Sequence, residues 1–248
     1  MKSLKNLLMF FVTMIICGML NSQDVDEIIN MYLDSMGGIE KLRDWKTLKG
    51  NGKYVMMTQG GKEISMTTWY KAPNKKRVDM IIDGQTASYS FDGKTSWFCD
   101  PSRGINTPTL MPEDQAKNNE DNADEYAFID YKKKGYTVEF LGKEEFEGRD
   151  VYKVKLTRTG GSESFHFFDC QTGYEVKILI FTLKDNNKTV TEIVERDFKK
   201  IDWLLLPFSI ETWVNGKMAN KLLIEKAEIN IEIDDSIFCM PKQMSLNE

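Results

Sequence analysis

From Leu48 onward the chain alternates apolar and polar side chains with a period of two, and this rhythm restricts its fold more than any other feature. Ile64, Met66, Thr68 and Tyr70 alternate with Ser65, Thr67, Trp69 and Lys71. Tyr152, Val154 and Leu156 alternate with Lys153 and Lys155, and Ile229, Ile231 and Ile233 with Asn230 and Glu232. Tyr54 and Met56 extend the pattern beside Lys53. Successive side chains of a strand point to opposite faces, so such alternation marks antiparallel strands with one buried and one wet face. Asp83-Gly84, Asp92-Gly93, Glu147-Gly148, Gly160-Gly161, Asn186-Asn187 and Asn215-Gly216 supply the turns between them. This spacing predicts roughly ten or eleven strands.

The chain before Leu48 follows other rules. Lys2 and Lys5 precede an almost wholly apolar run from Leu7 to Leu20, and polar Asn21-Ser22-Gln23 follow. That is the layout of a secretory signal peptide, and the run is shorter than the roughly 20 residues a membrane span needs. Residues 1–23 are therefore expected to be a signal peptide for export to the periplasm, and residues 24–248 a single domain. Cys17 follows Ile16 rather than a small residue, which argues against lipidation there. Val25, Ile28, Ile29, Tyr32, Leu33 and Met36 recur at helical steps until Gly37-Gly38, and Ile39, Leu42 and Trp45 suggest a second, short helix. Between Pro101 and Gly135 strand signals fade. Tyr126, Phe128, Ile129 and Tyr131 predict an amphipathic helix over residues 124–134, ending at Gly135, that would act as a lid.

Composition excludes several functions. A net charge of −5 gives no basic face for nucleic acid. One histidine, His166, in Phe165-His166-Phe167-Phe168, cannot build a multi-histidine metal site, and it reads as a core or surface residue. Cys99, Cys170 and Cys239 lack any C-x-x-C spacing. Gly93-Lys94-Thr95 lacks the upstream glycine of a phosphate loop, because Ser88 occupies that position. Gly160-Gly161-Ser162 does not complete a nucleophile elbow. No enzyme, cofactor or metal is expected on these grounds. The 14 methionines, several on the apolar strand faces, instead suit a wall that adapts to flexible ligands.

Several short motifs then occur in order. They are Tyr32-Leu33-Asp34-Ser35-Met36-Gly37-Gly38, Trp69-Tyr70-Lys71-Ala72-Pro73, Gly148-Arg149-Asp150-Val151-Tyr152 and Phe168-Asp169-Cys170-Gln171-Thr172-Gly173. Leu205-Leu206-Pro207 and Asp234-Asp235-Ser236-Ile237-Phe238 complete the series. In this order the sequence resembles the outer-membrane lipoprotein-sorting family of LolA/LolB type, in its Bacteroidetes form, from Asp24 to Pro241. The resemblance implies a mainly β fold: a strongly curved antiparallel sheet, an incomplete half-barrel, with an N-terminal helix and a helical lid over an apolar cavity. It also implies a monomeric periplasmic carrier. Its partners would be the acyl chains of lipoproteins or other lipids, with the inner- and outer-membrane sorting machinery. Placing adaptable side chains on the inward face gives Tyr54, Met56, Met66, Tyr70, Met80, Phe91, Trp97 and Tyr152 as the lining. Tyr126, Phe128 and Ile129 would belong to the lid. A lipid-sensing module for envelope stress is the alternative on the same fold. A lipid-modifying enzyme ranks third, and would require a serine and an acid to converge on His166.

Overall fold

The computed structural model describes residues 24–121, 124, 126–184 and 187–241, so the expected signal peptide lies outside the described residues. Thirteen strands form one antiparallel sheet: β1 (Thr47–Met56), β2 (Lys62–Lys71), β3 (Lys75–Ile82), β4 (Gln85–Phe91), β5 (Ser96–Asp100), β6 (Ile105–Leu110), β7 (Thr137–Phe146), β8 (Arg149–Thr157), β9 (Glu163–Asp169), β10 (Glu175–Lys184), β11 (Asn187–Ile201), β12 (Leu204–Val214) and β13 (Lys217–Ile229). Their spatial order is β6-β5-β4-β3-β2-β1-β13-β12-β11-β10-β9-β8-β7, which leaves β6 and β7 as open edges. The sheet is thus the expected unclosed half-barrel. It exceeds the predicted strand count partly through β6, which carries Pro108 and barely alternates, as an edge strand can.

Helix α1 (Val25–Ser35) starts at Asp24, whose carboxylate accepts the Asp26 N–H as an N-cap. It buries Ile28, Ile29, Tyr32 and Leu33 against the sheet. Leu48, Tyr152, Val154, Leu156, Phe168, Leu204 and Leu206 complete that core. Helix α2 (Ile39–Arg43) follows Gly37 and Gly38. Gly37 has φ +130°, and a Cβ there would sit 2.6 Å from the Trp203 carbonyl oxygen, so only glycine fits.

The chain leaves β6 at one edge of the sheet and re-enters at β7, the other edge. Its connection carries helix α3 (Glu113–Asp121) and a run of turns over residues 126–135. The structure corrects the expected helix over 124–134. Asp130 takes φ +49°, a left-handed conformation that interrupts a helix, and the segment closes instead through short turns such as Lys133 N–H to Asp130 C=O at 2.8 Å. The helix of this region is α3, whose sequence carries almost no apolar residues and so gave no periodic signal.

The expected strand through Ile231 and Ile233 also ends early, at Ile229, where Asn230 has φ +54°. The chain then crosses the outer face of β2–β5 as a strap. Arg77 donates to the Ile237 carbonyl at 2.6 Å, and Lys71 to that of Ile233 at 2.7 Å. Trp97 Nε1 and Ser90 Oγ both donate to the Phe238 carbonyl, at 2.7 and 2.9 Å. Lys71 and Lys75 grip the Asp235 carboxylate at 2.6 and 2.8 Å.

Two outcomes follow for stability. Gly37→Ala is expected to cost about 1–3 kcal/mol in urea unfolding, from strain at a position that left-handed backbone and Trp203 both close to a side chain. Gly61→Ala, at φ +81° but with open space around it, should cost less. Hydrogen bonds from Lys71 and Lys75 hold the Asp235 carboxyl down to about 2. Because its folded value lies below the ordinary 3.8, its contribution is complete above that value and is lost as pH falls through about 2. Melting temperatures of Asp235→Asn should therefore fall less steeply than those of the parent over the same acid range.

Candidate functional site

Cross-strand partners share a face, so the register alone sorts the predicted lining. Leu48 pairs with Tyr70, Tyr54 with Ile64, Met66 with Met80, and Lys76 with both Tyr70 and Phe91. Tyr54, Met56, Met66, Tyr70, Met80 and Phe91 therefore lie on the face that carries Leu48 and the core, the concave one. Tyr152 faces Phe168 on the same side and is buried in that core. Trp97 is a correction. It pairs with Ser90, whose neighbours Tyr89 and Phe91 point inward, and it lies on the outer face under the C-terminal strap. Phe91 and Trp97 have equal parity in the sequence, but the turn at Asp92 resets the register between them.

The inner wall has two parts. Where α1 packs, it is closed core. Beyond that, Tyr54, Val78, Met80, Ile178, Ile193, Ile210, Leu222 and Ile224 are only half-buried, while Ile64 and Met66 are buried. Tyr54 pairs with Leu222 and Leu222 with Ile210, so an apolar surface spans β1, β13 and β12; Ile210 then pairs with Glu195, whose carboxylate separates this patch from Ile178 and Ile193. A polar patch adjoins it. Ser164 and His166 pair with Ile180 and Ile178 on the inner face. Ser164 Oγ lies 2.7 Å from His166 Nε2, and Glu175 Oε1 is bonded to His166 Nδ1. All three side chains are buried. Arg158 Nη1 donates to Ser164 Oγ at 3.3 Å.

This array was missed in the sequence. Ser164-x-His166 is legible as one face of a strand. Glu175 is not, because a bulge between Glu175 and Lys177 reverses its parity and turns it to the histidine. Of the core or surface positions open to it, His166 takes the core, with both ring nitrogens in polar contact.

Two cavities border the array. One of about 530 Å³ is lined by Arg158, Ser164, His166, Ile178, Ile180 and Ile193 among others. A smaller one of about 190 Å³ lies between His166, Glu175 and the covering residues Tyr126, Ala127 and Phe128. A third, about 490 Å³, opens at the rim beside Phe91, Lys94, Lys134 and Tyr136.

The cover is held by rings inside and charges outside. Phe128 meets Tyr32, His166 and Phe168 edge-on, and Tyr126 meets Trp45 edge-on at 5.0 Å. Ile129 is buried beside them. Buried Tyr131 and exposed Lys132 reach Asp26 on α1 at 2.5 and 2.6 Å, and at the surface Arg43 on α2 reaches Asp130 at 2.9 Å. Helix α3 ties both arms of the sheet. Asn119 donates to the Ser90 carbonyl and Ser96 Oγ, and Lys117 to the Gly160 carbonyl at 3.0 Å. Among the described residues no cluster of ligands could hold a metal, no helix is long and apolar enough to cross a membrane, and Cys99, Cys170 and Cys239 are free thiols.

Hydrogen bonds from Lys132 and Tyr131 hold the Asp26 carboxyl below its ordinary range, so this tie is complete at neutral pH and fails as acid protonates it. Asp26→Asn should loosen the cover: amide exchange over residues 126–136 should quicken, while that of β11–β13 stays unchanged.

The sequence matches no family model and no curated protein. Solved structures do match. A LolA superfamily protein, NE2245, from Nitrosomonas europaea is 13% identical with a TM-score of 0.59, over 84% of this chain and 96% of its own. An outer-membrane lipoprotein-sorting protein domain from Vibrio parahaemolyticus is 10% identical with a TM-score of 0.57, over 81% and 94%. A DUF1329 family protein from Desulfovibrio piger is 12% identical with a TM-score of 0.58, over 86% and 96%. At such identities the likeness is one of architecture, and in architecture this chain has the LolA-like fold.

Proposed function

We propose that this protein is a periplasmic carrier that holds acyl chains of lipoproteins or other lipids on its concave wall and moves them towards the outer membrane. The observation that carries the reading is the half-buried apolar surface of Tyr54, Met80, Ile178, Ile193, Ile210, Leu222 and Ile224, lying open on the concave face of a LolA-like sheet. Each methylene buried contributes about 0.8 kcal/mol, so a long acyl chain leaves a bilayer for water extremely slowly. A carrier removes that barrier only by offering apolar surface of comparable strength. Release then requires that the surface adapt and the cover move, which suits Met66 and Met80 on the wall and a cover of turns fastened by a few buried rings and by surface charges. Export by residues 1–23, a monomeric state and contacts with sorting machinery in both membranes belong to the same proposal.

The test is to produce residues 24–248 and record native mass spectra together with binding of a fluorescent fatty acid. Co-purified or accepted lipid is expected. Met66→Glu or Met80→Glu, which sets a charge on the wall, should weaken binding at least about tenfold, since a charge among apolar groups is strongly disfavoured. A folded protein that neither carries nor accepts lipid would falsify the reading.

A further inference from the structure

We propose that Ser164, His166 and Glu175 form a nucleophilic relay that cleaves acyl esters lodged against the inner wall. For an ionised Glu175 and a neutral His166 ring, one set of donor directions satisfies the array. A guanidinium only donates, so Arg158 Nη1 donates to Ser164 Oγ. A carboxylate only accepts, so His166 Nδ1 carries the proton shared with Glu175 Oε1. With a neutral ring, His166 Nε2 is then an acceptor, and the serine hydroxyl gives its hydrogen to it across 2.7 Å. Arg158, Ser164, His166 and Glu175 thus form one directed chain. Serine bonded to a base, and the base to an orienting acid, is the geometry by which a weak hydroxyl becomes a nucleophile.

Two further observations point to a ligand. The first is Arg158 Nε, a buried N–H with no hydrogen-bond partner among the described residues. Buried donors are rarely left unmet, and the Arg158 guanidinium, whose Nη1 reaches Ser164 Oγ, sets positive charge beside the atom where the oxyanion of acyl transfer would form. The second is the position of the array. Arg158, Ser164 and His166 line the cavity of about 530 Å³ together with Ile178, Ile180 and Ile193. The reacting groups therefore meet the apolar surface that would seat an acyl chain. The substrate class is an ester of a fatty acid. This inference relies on the carrier reading for where the chain lies, and it goes beyond it in chemistry.

The steps balance without an oxidant or a metal. Ser164 Oγ bonds to the ester carbonyl carbon as His166 Nε2 takes the hydroxyl proton, and Glu175 stabilises the resulting imidazolium. The carbonyl oxygen carries the negative charge beside Arg158. The bond to the leaving alkoxide breaks, and His166 returns its proton to that oxygen, leaving acyl-Ser164 and free alcohol. Water then attacks the acyl carbon as His166 Nε2 takes one of its protons; the bond from that carbon to Ser164 Oγ breaks, and His166 passes the proton to Oγ, which frees the fatty acid and restores the serine. Phe128 stands edge-on to His166 with ring centres 4.8 Å apart, and the cover thereby keeps one side of the imidazole dry.

The experiment treats the protein of residues 24–248 with an alkyl fluorophosphonate and locates the adduct by peptide mass spectrometry. In parallel it follows hydrolysis of 4-nitrophenyl octanoate and binding of a fatty acid to the same sample. Phosphonylation at Ser164 and ester hydrolysis are expected. Ser164→Ala should abolish both, and Ser209→Ala, on the outer face, should change neither. Glu175→Gln keeps the shape of the positioning residue but removes its charge. It should slow labelling about a hundredfold or more while leaving fatty-acid affinity within about twofold, a split that a merely structural role would not give. Adduct mapping on the unaltered protein keeps the test valid if a variant misfolds. Fatty acid bound with no adduct at Ser164 overturns the relay and leaves the carrier standing. Adduct formed with no fatty acid bound upholds the relay and overturns the carrier.

Discussion

Strand β1 pairs with β13, so the first and last strands of the sheet are neighbours at its centre. The chain builds one arm outward from β1 to β6, then must begin the second arm at the far edge and work back. A connection between opposite edges of a curved sheet has to cross its mouth. Residues 111–136 form that connection, so the cover is a consequence of the strand order rather than an appendage. The same pairing puts both ends of the domain at the middle of the sheet. Helix α1 leaves β1 to fill the concave side, and the C-terminal strap leaves β13 to cover the outer side of β2–β5.

This arrangement divides the work of the two faces. The outer face of one arm is closed by the strap, with Trp97 and Phe238 wholly buried there, so that arm is held to one shape. The inner face is closed only where α1 and the turns around Phe128 reach. Elsewhere Tyr54, Met80, Ile210 and Leu222 keep part of their surface open. Each forgoes some of the stabilisation that complete burial brings, about 25 cal/mol per Å². A fold with enough core under α1 tolerates that loss, and an acyl chain on the wall would recover it.

Much of this was legible in the sequence, for a local reason. Alternation survives burial, so the strands, the inward set Tyr54, Met56, Met66, Tyr70, Met80 and Phe91, and the amphipathic α1 could be read directly. What failed depended on events that reset the period. The turn after Phe91 carried Trp97 to the outer face, and a bulge at Val176 carried Glu175 inward to His166. Asp130 broke a promising helical spacing with one left-handed residue. Helix α3 failed differently: it is held by Asn119 and Lys117 bonding to distant strands, contacts that leave no periodic trace.

The polar array on the wall needs an account of its own. Ser164, His166 and Glu175 are buried among phenylalanines and isoleucines, where a polar network is at best neutral compared with well-packed apolar residues. A core selected for stability alone would favour the latter. At the end of the array Arg158 Nε is a buried N–H with no partner among the described residues. Arg158, Ser164 and His166 line one cavity with Ile178, Ile180 and Ile193, so a ligand there would meet the polar array and apolar side chains together.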